Sequence, residues 1–395
     1  MKISISKGLQ GLAVIFAGLV SNPVAHAQSV ISFKNLQNIN WNNFRKSFEF
    51  EAFYTNDTIS SSGGEKAGTR NVGALDLYLS SDFKKFSSIS GEFMVHFTHI
   101  GGPDQSAAIG DTQGTSNIEM PFQVDRVTDL WYQHSWTPKY KSLIGIHDLS
   151  TEFNVTDSSL NFLNSAFGTS TELSFSGERG GSIYPITSVG LKNEFQFTDE
   201  VKLLAAIYDA DPGDESTYRS FHSDIGNHEG YLAITETSYE DDQQKFGLGA
   251  WAHSKEVAAY LDETRSGTSA GVYAIMQKKL SNQLTGFVRY GWANPEVSMI
   301  QANTVVGAVY RGLLQRKKFE DELGLGVSHA KFSGNHQKEV SDLNSPLAET
   351  VYEAYYSFRA HKVLQLRPDL QYIQNPTGST GADAWALGLR TVIEI

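Results

Sequence analysis

Charged and amide side chains recur between apolar residues along several segments of this chain, and they define the chemistry that the sequence can support. Arg289, Arg367 and Arg390 are spaced in this way, as are Glu353 and Asp369. Such groups bind polar ligands through reversible hydrogen bonds. Because both signs of charge are present, we expect weak binding of neutral polar molecules without strong selection for one kind of ion. The candidate solute-binding residues are Glu49, Glu51, Asp76, Glu92, Asn117, Glu119, Asp129, Trp131, His147, Trp251, Arg289, Arg311, Glu353, Arg359, Arg367, Asp369, Gln371 and Arg390.

The sequence offers little for covalent catalysis. It contains no cysteine, no Gly-x-Ser-x-Gly motif, no phosphate-binding glycine loop and no His-Glu-x-x-His motif. Its 11 histidines show no metal-ligand spacing. His222 and His228, in the acidic stretch of residues 214–229, could bind a divalent ion, and a solvated loop is the alternative interpretation. We therefore predict no enzyme activity, no cofactor and no resident metal.

The elements that must position the polar groups are β-strands, because apolar and polar residues alternate with a period of two. In residues 382–395, Trp385, Leu387 and Leu389 share one parity, whereas Arg390 and Glu394 share the other. The apolar parity is bulky and rich in aromatic residues, which predicts an apolar outer face around a water-filled interior. The other outward sets lie within residues 48–54, 75–79, 89–97, 130–136, 189–197, 246–252, 288–292, 306–310, 352–358 and 364–372. Residues 201–209, 230–239 and 271–279 can be phased either way.

The amino-terminal residues predict export. Lys2 and Lys7 precede an apolar run at residues 9–20, and Ala25 and Ala27 form a small-x-small cleavage site. The run is too short for a membrane-spanning anchor, which needs about 20 residues. We predict a cleaved signal peptide at residues 1–27 and a single domain at residues 28–395. Residues 28–44 are polar with loosely helical spacing, which suggests a periplasmic or plug-like lead segment.

Composition and turn signals define the fold class. Gly, Ser, Asn and Asp clusters separate the alternating segments at short intervals, and no linker divides the chain. The net charge of -12 argues against a nucleic-acid partner. With no cysteine, no disulfide can support the fold. We predict an all-β protein: a transmembrane, antiparallel, up-and-down β-barrel of about 16 strands with inward-folded loops. The loop at residues 101–121, which carries Asn117 and Glu119, is the best candidate for folding inward.

Several motifs resemble one known family. Residues 364–376, followed by Leu387-Gly388-Leu389-Arg390, look like the ending of the carbohydrate-selective porins (OprB type) of Gram-negative outer membranes. Two positions depart from the family pattern: His147 stands where a lysine is common, and Ile395 ends the chain where an aromatic residue is usual. Further matches lie at residues 116–119, Leu130-Trp131, Gly145, Asp148, Phe162, Asn164, Phe167, Tyr184-Pro185, residues 209–214, 249–251 and 289–291, Glu349 and residues 352–356.

The resemblance implies a function and a location. It implies a single-chain barrel of sixteen strands, narrowed by inward-folded loops, that passes mono- and oligosaccharides across the outer membrane by facilitated diffusion. The implied partners are sugar solutes, outer-membrane lipid and lipopolysaccharide, with a homotrimer as one possible assembly and no nucleic acid. In such a pore the arginines and carboxylates would bind hydroxyl groups. Trp131 and Trp251 would stack on sugar rings.

Alternatives remain open for these residues and for the function. The arginines could pair with interior carboxylates and stiffen the barrel without touching solute, and the two tryptophans could pack beneath an inward-folded loop. A general porin, or one selective for another solute, is the nearer functional alternative, and an excess of interior arginine over carboxylate would favour it. An outer-membrane barrel enzyme is the remote alternative.

Overall fold

The computed structural model describes residues 47–213, 230–314, 321–339, 347–378 and 382–395. The predicted signal peptide and lead segment, and His222 and His228, lie outside the described residues. The described residues divide into two compact units: Ser47 and residues 83–89 belong to one, and the described parts of residues 48–82 and 90–395 belong to the other. In the described part of the small unit, a 3-10 turn at Phe83–Lys85 brings the Phe83 and Phe86 rings to 5.3 Å between centroids.

Sixteen antiparallel strands form a closed barrel in which every strand pairs with its sequence neighbours and β1 pairs with β16. This confirms the predicted fold class. The strands are β1 (Phe48–Gly63), β2 (Gly68–Asp82), β3 (Gly91–Gly101), β4 (Val124–Thr137), β5 (Tyr140–His147), β6 (Ser188–Gln196), β7 (Val201–Asp209), β8 (Tyr231–Glu240), β9 (Gln244–Ala259), β10 (Asp262–Lys279), β11 (Leu284–Ala293), β12 (Ile300–Arg311), β13 (Asp321–Phe332), β14 (Ala348–His361), β15 (Leu364–Gln374) and β16 (Ala384–Glu394).

The alternation in sequence becomes two faces of the barrel. On β16, Leu387 is 62% exposed on the outer face, whereas Arg390 faces inward and is 5% exposed. Leu248 on β9 and Arg289 on β11 show the same contrast between the outer face and the interior. Because successive side chains point to opposite sides of a strand, one correctly placed residue fixes the facing of the others as far as the next bulge.

The three segments that could not be phased from the sequence have apolar residues on both faces. Leu204 and Tyr208 on β7, Ile234 on β8, and Tyr273 and Ile275 on β10 face inward and are buried in one cluster. A strand between lipid and solvent alternates cleanly, but these strands are covered on the inside by a loop. The alternation is lost there because both faces bury apolar surface.

The connections differ greatly in length at the two ends of the barrel. The end that holds residues 138–139, 241–243 and 362–363 has mostly short turns and also carries the described chain ends, and we call it the turn end. Among the connections that the structure describes in full, the opposite loop end carries two long ones, loop A (residues 102–123) and loop B (residues 148–187). Loop A contains helix α1 (Ser106–Ile109), loop B contains α2 (Thr171–Ser174), and α3 (Gly334–Glu339) follows β13.

Within the described residues, no helix is long and apolar enough to cross a membrane.

Candidate functional site

Loop A lies inside the barrel. The main-chain N–H groups of Thr112 and Gln113 donate to the Glu349 carboxylate at 2.8 and 2.9 Å, and Glu349 is fully buried on β14. On β15, Gln371 Nε2 donates to Thr115 O at 2.8 Å. The Ser328 hydroxyl on β13 donates to Gln113 Oε1 at 2.5 Å. The barrel wall thus provides side-chain partners for the backbone and side chains of this loop, as expected for an inward-folded segment.

Arg390 is engaged by loop A and by the neighbouring strand. Its guanidinium donates to both Asp57 carboxylate oxygens, at 2.7 and 2.6 Å, and to Asn117 Oδ1 of loop A at 2.7 Å. Ser116 Oγ donates to the same Asp57 carboxylate at 2.6 Å. Two parallel hydrogen bonds between ionised groups make a strong and geometrically specific pair. Arg390 and Asn117 therefore fix loop A against the β1–β16 seam.

Glu119 organises loop A from within. Its carboxylate accepts main-chain hydrogen bonds from Gln105 and Ser116, each at 3.0 Å, and it also accepts from the Ser106 hydroxyl. Burial, reinforced by the negative charge of Asp111, raises the pKa of Glu119 to about 8. Its hydrogen bonds are directed into the loop.

Loop B also lies inside the barrel, and Arg289 is its main polar anchor. The Arg289 guanidinium, 1% exposed, donates to Asn154 O at 3.0 Å and to Gly168 O at 2.9 Å, and it also donates to Ala166 O. Ala166 and Gly168 belong to one 3-10 turn of the loop, whereas Asn154 lies in an earlier part of it. A single planar cation therefore holds two parts of loop B against β11.

A second set of interior side chains on β14 and β15 holds the middle of loop B. Glu353 accepts from the main-chain N–H groups of Leu163 and Asn164 at 2.6 and 3.0 Å. Arg367 donates to Asn161 Oδ1 at 2.8 Å, and its guanidinium carbon lies 5.6 Å from the centre of the Tyr355 ring. Next to them, Gln371 Nε2 donates to Asp369 Oδ1 at 3.1 Å.

The apolar side of loop B packs on the interior faces of β7 to β14. Leu149 and Phe153 of the loop join the cluster that contains Trp251, which is 2% exposed. Farther along, the Phe162 and Phe167 rings stack at 4.2 Å between centroids. A Cβ on Gly326 would lie 2.4 Å from the Phe167 ring, so the wall needs a glycine there. The structure thus places Trp251 beneath an inward-folded loop, where it offers little surface to a solute.

The two loops are joined to each other. Asn117 N donates to Leu163 O at 2.7 Å, and Ser165 N donates to Gly114 O at 2.8 Å. The Asn117 amide also donates to Phe162 O at 3.3 Å. Loops A and B therefore act as one layer that fills part of the barrel cross-section.

A third group of predicted residues meets on β2, β3 and β4. His96 lies 2.9 Å from Asp76 and 3.2 Å from Asp129 through its two ring nitrogens. The Tyr184 hydroxyl of loop B donates to Asp76 at 3.0 Å. The Tyr78 and His96 rings stack at 4.0 Å, and the Tyr184 ring is parallel to His96 at 5.8 Å. This group ties the far end of loop B to the β2–β4 wall.

His147 and Trp131 are neighbours at the start of loop B. His147 Nδ1 lies 2.8 Å from the Tyr208 hydroxyl, and its Nε2 lies 3.4 Å from Glu152, which also pairs with Lys192. Burial acts to raise the pKa of Glu152, but the hydrogen bond to His147 and the charge of Lys192 together lower it to about 2. Lys192 and His147 thus contact the same carboxylate. The partly exposed Trp131 ring lies 6.3 Å from the His147 ring.

The remaining predicted residues lie toward the turn end and are more open to water. Arg311 Nε donates to Glu322 at 2.8 Å, and its side chain is 47% exposed. Arg359 forms two hydrogen bonds with Glu394, at 2.8 and 2.7 Å. Exposed carboxylates complete this region: Glu49, Glu51 and Glu92.

Several residues that shape the interior escaped the sequence reasoning. Asp57 lies on the same face of β1 as Glu49 and Glu51, so extending the alternation along β1 would have found it. Arg126 on β4 donates to Thr187 O at 2.9 Å. It was missed because β4 has a bulge between Val127 and Asp129, so the residues before the bulge that face inward have the opposite parity to those after it. Loop B was missed as a whole. Its signal was the density of large apolar residues in a stretch without alternation, which is unusual for a solvated loop.

A closed antiparallel barrel with an apolar outer face and a polar interior partly filled by its own loops defines a porin. A family model for the carbohydrate-selective porins, OprB family, matches residues 66–394. The chain belongs to this family, and it is an outer-membrane carbohydrate porin.

Solved structures share the fold. A high-pH structure of Pseudomonas putida OprB aligns with a TM-score of 0.79 at 18% identity, covering 90% of this chain and 96% of that chain. The outer-membrane channel DcaP of Acinetobacter baumannii aligns with a TM-score of 0.58 at 9% identity, covering 88% and 97%. A variant of the Rh. blastica porin aligns with a TM-score of 0.53 at 9% identity, covering 88% and 100%. Comparison with curated protein sequences finds no significant match.

Proposed function

We propose that mono- and oligosaccharides cross the outer membrane by facilitated diffusion through the part of the interior that loops A and B leave open. The pairing of interior charges is the observation that carries this proposal. Arg390 pairs with Asp57, Arg311 with Glu322, and Lys192 with Glu152. Where a cation and a carboxylate pair in this way, the interior is polar but locally neutral, which suits an uncharged, hydroxyl-rich solute better than an organic anion.

The contacts also separate the predicted residues into two groups, those that hold the loops and those that could contact solute. Arg289, Arg367, Arg390 and Glu353 act mainly by fixing the two loops, and through them the width of the passage. Direct contact with solute is proposed for partly exposed groups on the loop layer or next to it, chiefly Trp131, Asn161 and Glu152. Each such contact is weak, because a solute must leave as readily as it enters.

The proposed setting of the barrel follows from its two ends and its outer face. Short turns face the periplasm in outer-membrane barrels and longer loops face outward, so the turn end is periplasmic. We propose outer-membrane lipid and lipopolysaccharide as partners of the apolar outer face, and a homotrimer as the assembly. Export would use the signal peptide of residues 1–27, which would be cleaved. The protein acts as a channel, without enzyme chemistry of its own.

A liposome-swelling series tests the proposal. Purified protein is reconstituted, and rates are compared for sugars of increasing size and for size-matched amino acids and organic anions. Faster entry of sugars than of matched solutes supports carbohydrate selectivity, whereas equal rates for all solutes of one size would indicate a general porin. The variant Arg311→Met removes the cation that pairs with Glu322 and serves as an internal check, since it should slow anions more than sugars.

A further inference from the structure

His96 on β3 lies between two carboxylates that belong to the neighbouring strands. Its Nε2 is 2.9 Å from Asp76 Oδ1 on β2, and its Nδ1 is 3.2 Å from Asp129 Oδ2 on β4. His96 itself is only 3% exposed. Within the part of the chain that the structure describes, neither carboxylate contacts a lysine or an arginine. His96 is therefore the group that can balance these two largely buried negative charges.

The contacts of the ring determine how many protons it carries. A carboxylate oxygen accepts hydrogen bonds and cannot donate them, so each ring nitrogen needs its own proton to bond its partner. The Thr98 hydroxyl donates to Asp76, and the Thr128 hydroxyl donates to the main-chain oxygen of His96. Both hydroxyl oxygens therefore turn lone pairs toward the ring nitrogens, from which they lie 3.1 and 2.8 Å away. A neutral imidazole, with a single N–H, would leave one nitrogen lone pair facing a carboxylate.

The same two carboxylates hold both ends of loop B. At the start of the loop, the main-chain N–H of Asp148 donates to Asp129 Oδ1 at 3.1 Å. Near the other end, the Tyr184 hydroxyl donates to Asp76 Oδ1 at 3.0 Å, and the Tyr184 ring is parallel to the His96 ring. His96 thus lies at a junction that joins the first and the last part of loop B to the β2–β4 wall.

The other ionisable groups near His96 are acidic or are directed elsewhere. Tyr78 on β2 stacks on the His96 ring at 4.0 Å between centroids, and Glu51 on β1 is the ladder partner of Tyr78. In loop B, Asp148 adds a further carboxyl group beside the junction. Arg126 on β4 donates to main-chain carbonyls. Loss of the second ring proton would therefore leave two carboxylates without a counter-charge.

We propose that His96 is a positioning residue for loop B and that it acts as a doubly protonated imidazolium. The cation holds Asp76 and Asp129 in place, and through them the two ends of loop B. Because the docked loop favours the protonated ring, docking is strongest at low pH and weakens as the pH rises and the second proton is lost. The passage beside loop B therefore widens in alkaline medium. This inference rests on the proposed role of the barrel as a sugar passage.

Trypsin reports on loop B directly, because Arg179 is its one lysine or arginine and loop A has neither. Folded protein is digested from about pH 7 to about pH 9.5, with rates normalised to a free peptide. In wild type, cleavage after Arg179 should rise on the order of ten- to a hundredfold, as expected for loss of one charge-assisted hydrogen bond. His96→Gln should be cleaved fast at every pH. The control His134→Gln changes a histidine of opposite parity to Asp129 on β4 and should follow wild type.

Nitrogen-15 NMR of histidine-labelled wild type measures the protonation itself and does not depend on a variant that folds. The ring signals of His96, identified by their loss in His96→Gln, should be those of an imidazolium at about pH 7. A singly protonated ring, or the same cleavage profile in wild type and His96→Gln, would overturn the proposal. Liposome swelling keeps the two questions distinct. If sugars still enter faster than matched solutes while loop B cleavage does not change with pH, this inference fails and the proposed function stands.

Discussion

Replacing Arg289 by methionine should release loop B from the barrel wall. Methionine keeps much of the apolar stem but removes the guanidinium that donates to Asn154 O, Gly168 O and Ala166 O. A hydrogen bond to a charged group contributes roughly 1.5–3 kcal/mol. Water can reach some of the freed carbonyls, which recovers part of that loss. We therefore expect the docked state of the loop to lose about 3–5 kcal/mol, somewhat less than the sum of three such hydrogen bonds.

That loss should be visible in single-channel current. Because about 1.4 kcal/mol corresponds to a factor of ten, the ratio of docked to released loop would fall by roughly a hundredfold to a few thousandfold. We expect larger mean conductance, more open-channel noise and entry of larger sugars into liposomes. Thermal unfolding should begin at a lower temperature.

The matched control is Arg311→Met. Its side chain is 47% exposed and pairs with the single carboxylate of Glu322, so the expected change in stability is about 0–1 kcal/mol. Conductance noise in this variant should stay near the wild-type level. If a folded Arg289→Met barrel showed the same conductance, noise and sugar size limit as wild type, then Arg289 would not hold loop B and our account of the passage would be wrong.

Three further predictions concern the outer face, the packed cluster and pH. Leu389→Arg should cost roughly 2–4 kcal/mol of barrel stability if that position lies near the membrane midplane, measured by the heat-dependent gel shift of the folded barrel. Trp251→Ala should cost about 3–5 kcal/mol by leaving a cavity under loop B, and Trp251→Phe much less. The pKa of Glu119 is raised from 4.5 to about 8 in the folded loop, so its protonated form favours that loop. This contribution is complete below pH 4.5 and is lost as the pH rises through about 8.

Each of these predictions can fail separately. An unchanged gel shift for Leu389→Arg would mean that Leu389 does not face lipid. If Trp251→Phe reduced sugar block of the ion current while leaving the thermal transition in place, Trp251 would touch solute after all. For Glu119, protease cleavage within loop A should increase between pH 4.5 and 8 in wild type and stay flat in Glu119→Gln. The same slope in both proteins would assign the effect to another group.

The sequence was informative where a strand separates water from lipid. On β16, the alternation of Leu387 and Leu389 with Arg390 predicted the facing of the whole strand, and the structure agrees. The same reasoning could not assign which residues of β7, β8 and β10 face inward, because Leu204, Ile234 and Ile275 pack against a loop on the inside. A period-two pattern carries information only when the two faces of a strand have different surroundings.

The residue types of the candidate site were predicted, but the contacts that these residues make with the loops were not. Arg289, Glu353 and Gln371 were assigned to the interior from parity alone, and they do face inward. Parity, however, gives no information on whether an inward side chain meets solute or a loop. Their partners in loops A and B lie more than a hundred residues away in the chain, so no local pattern could pair them.

Alternation along the strands was enough to predict a barrel with an apolar outside and a polar inside, because strand geometry turns alternation into two faces. Residues 364–376 and the closing strand were enough to indicate the family. That loop B fills the barrel beside loop A, and that the interior charges serve mainly to hold both loops, became evident from the folded structure alone. The direction in which a side chain points is a local property of its strand, whereas its partner depends on which distant segments share the barrel interior.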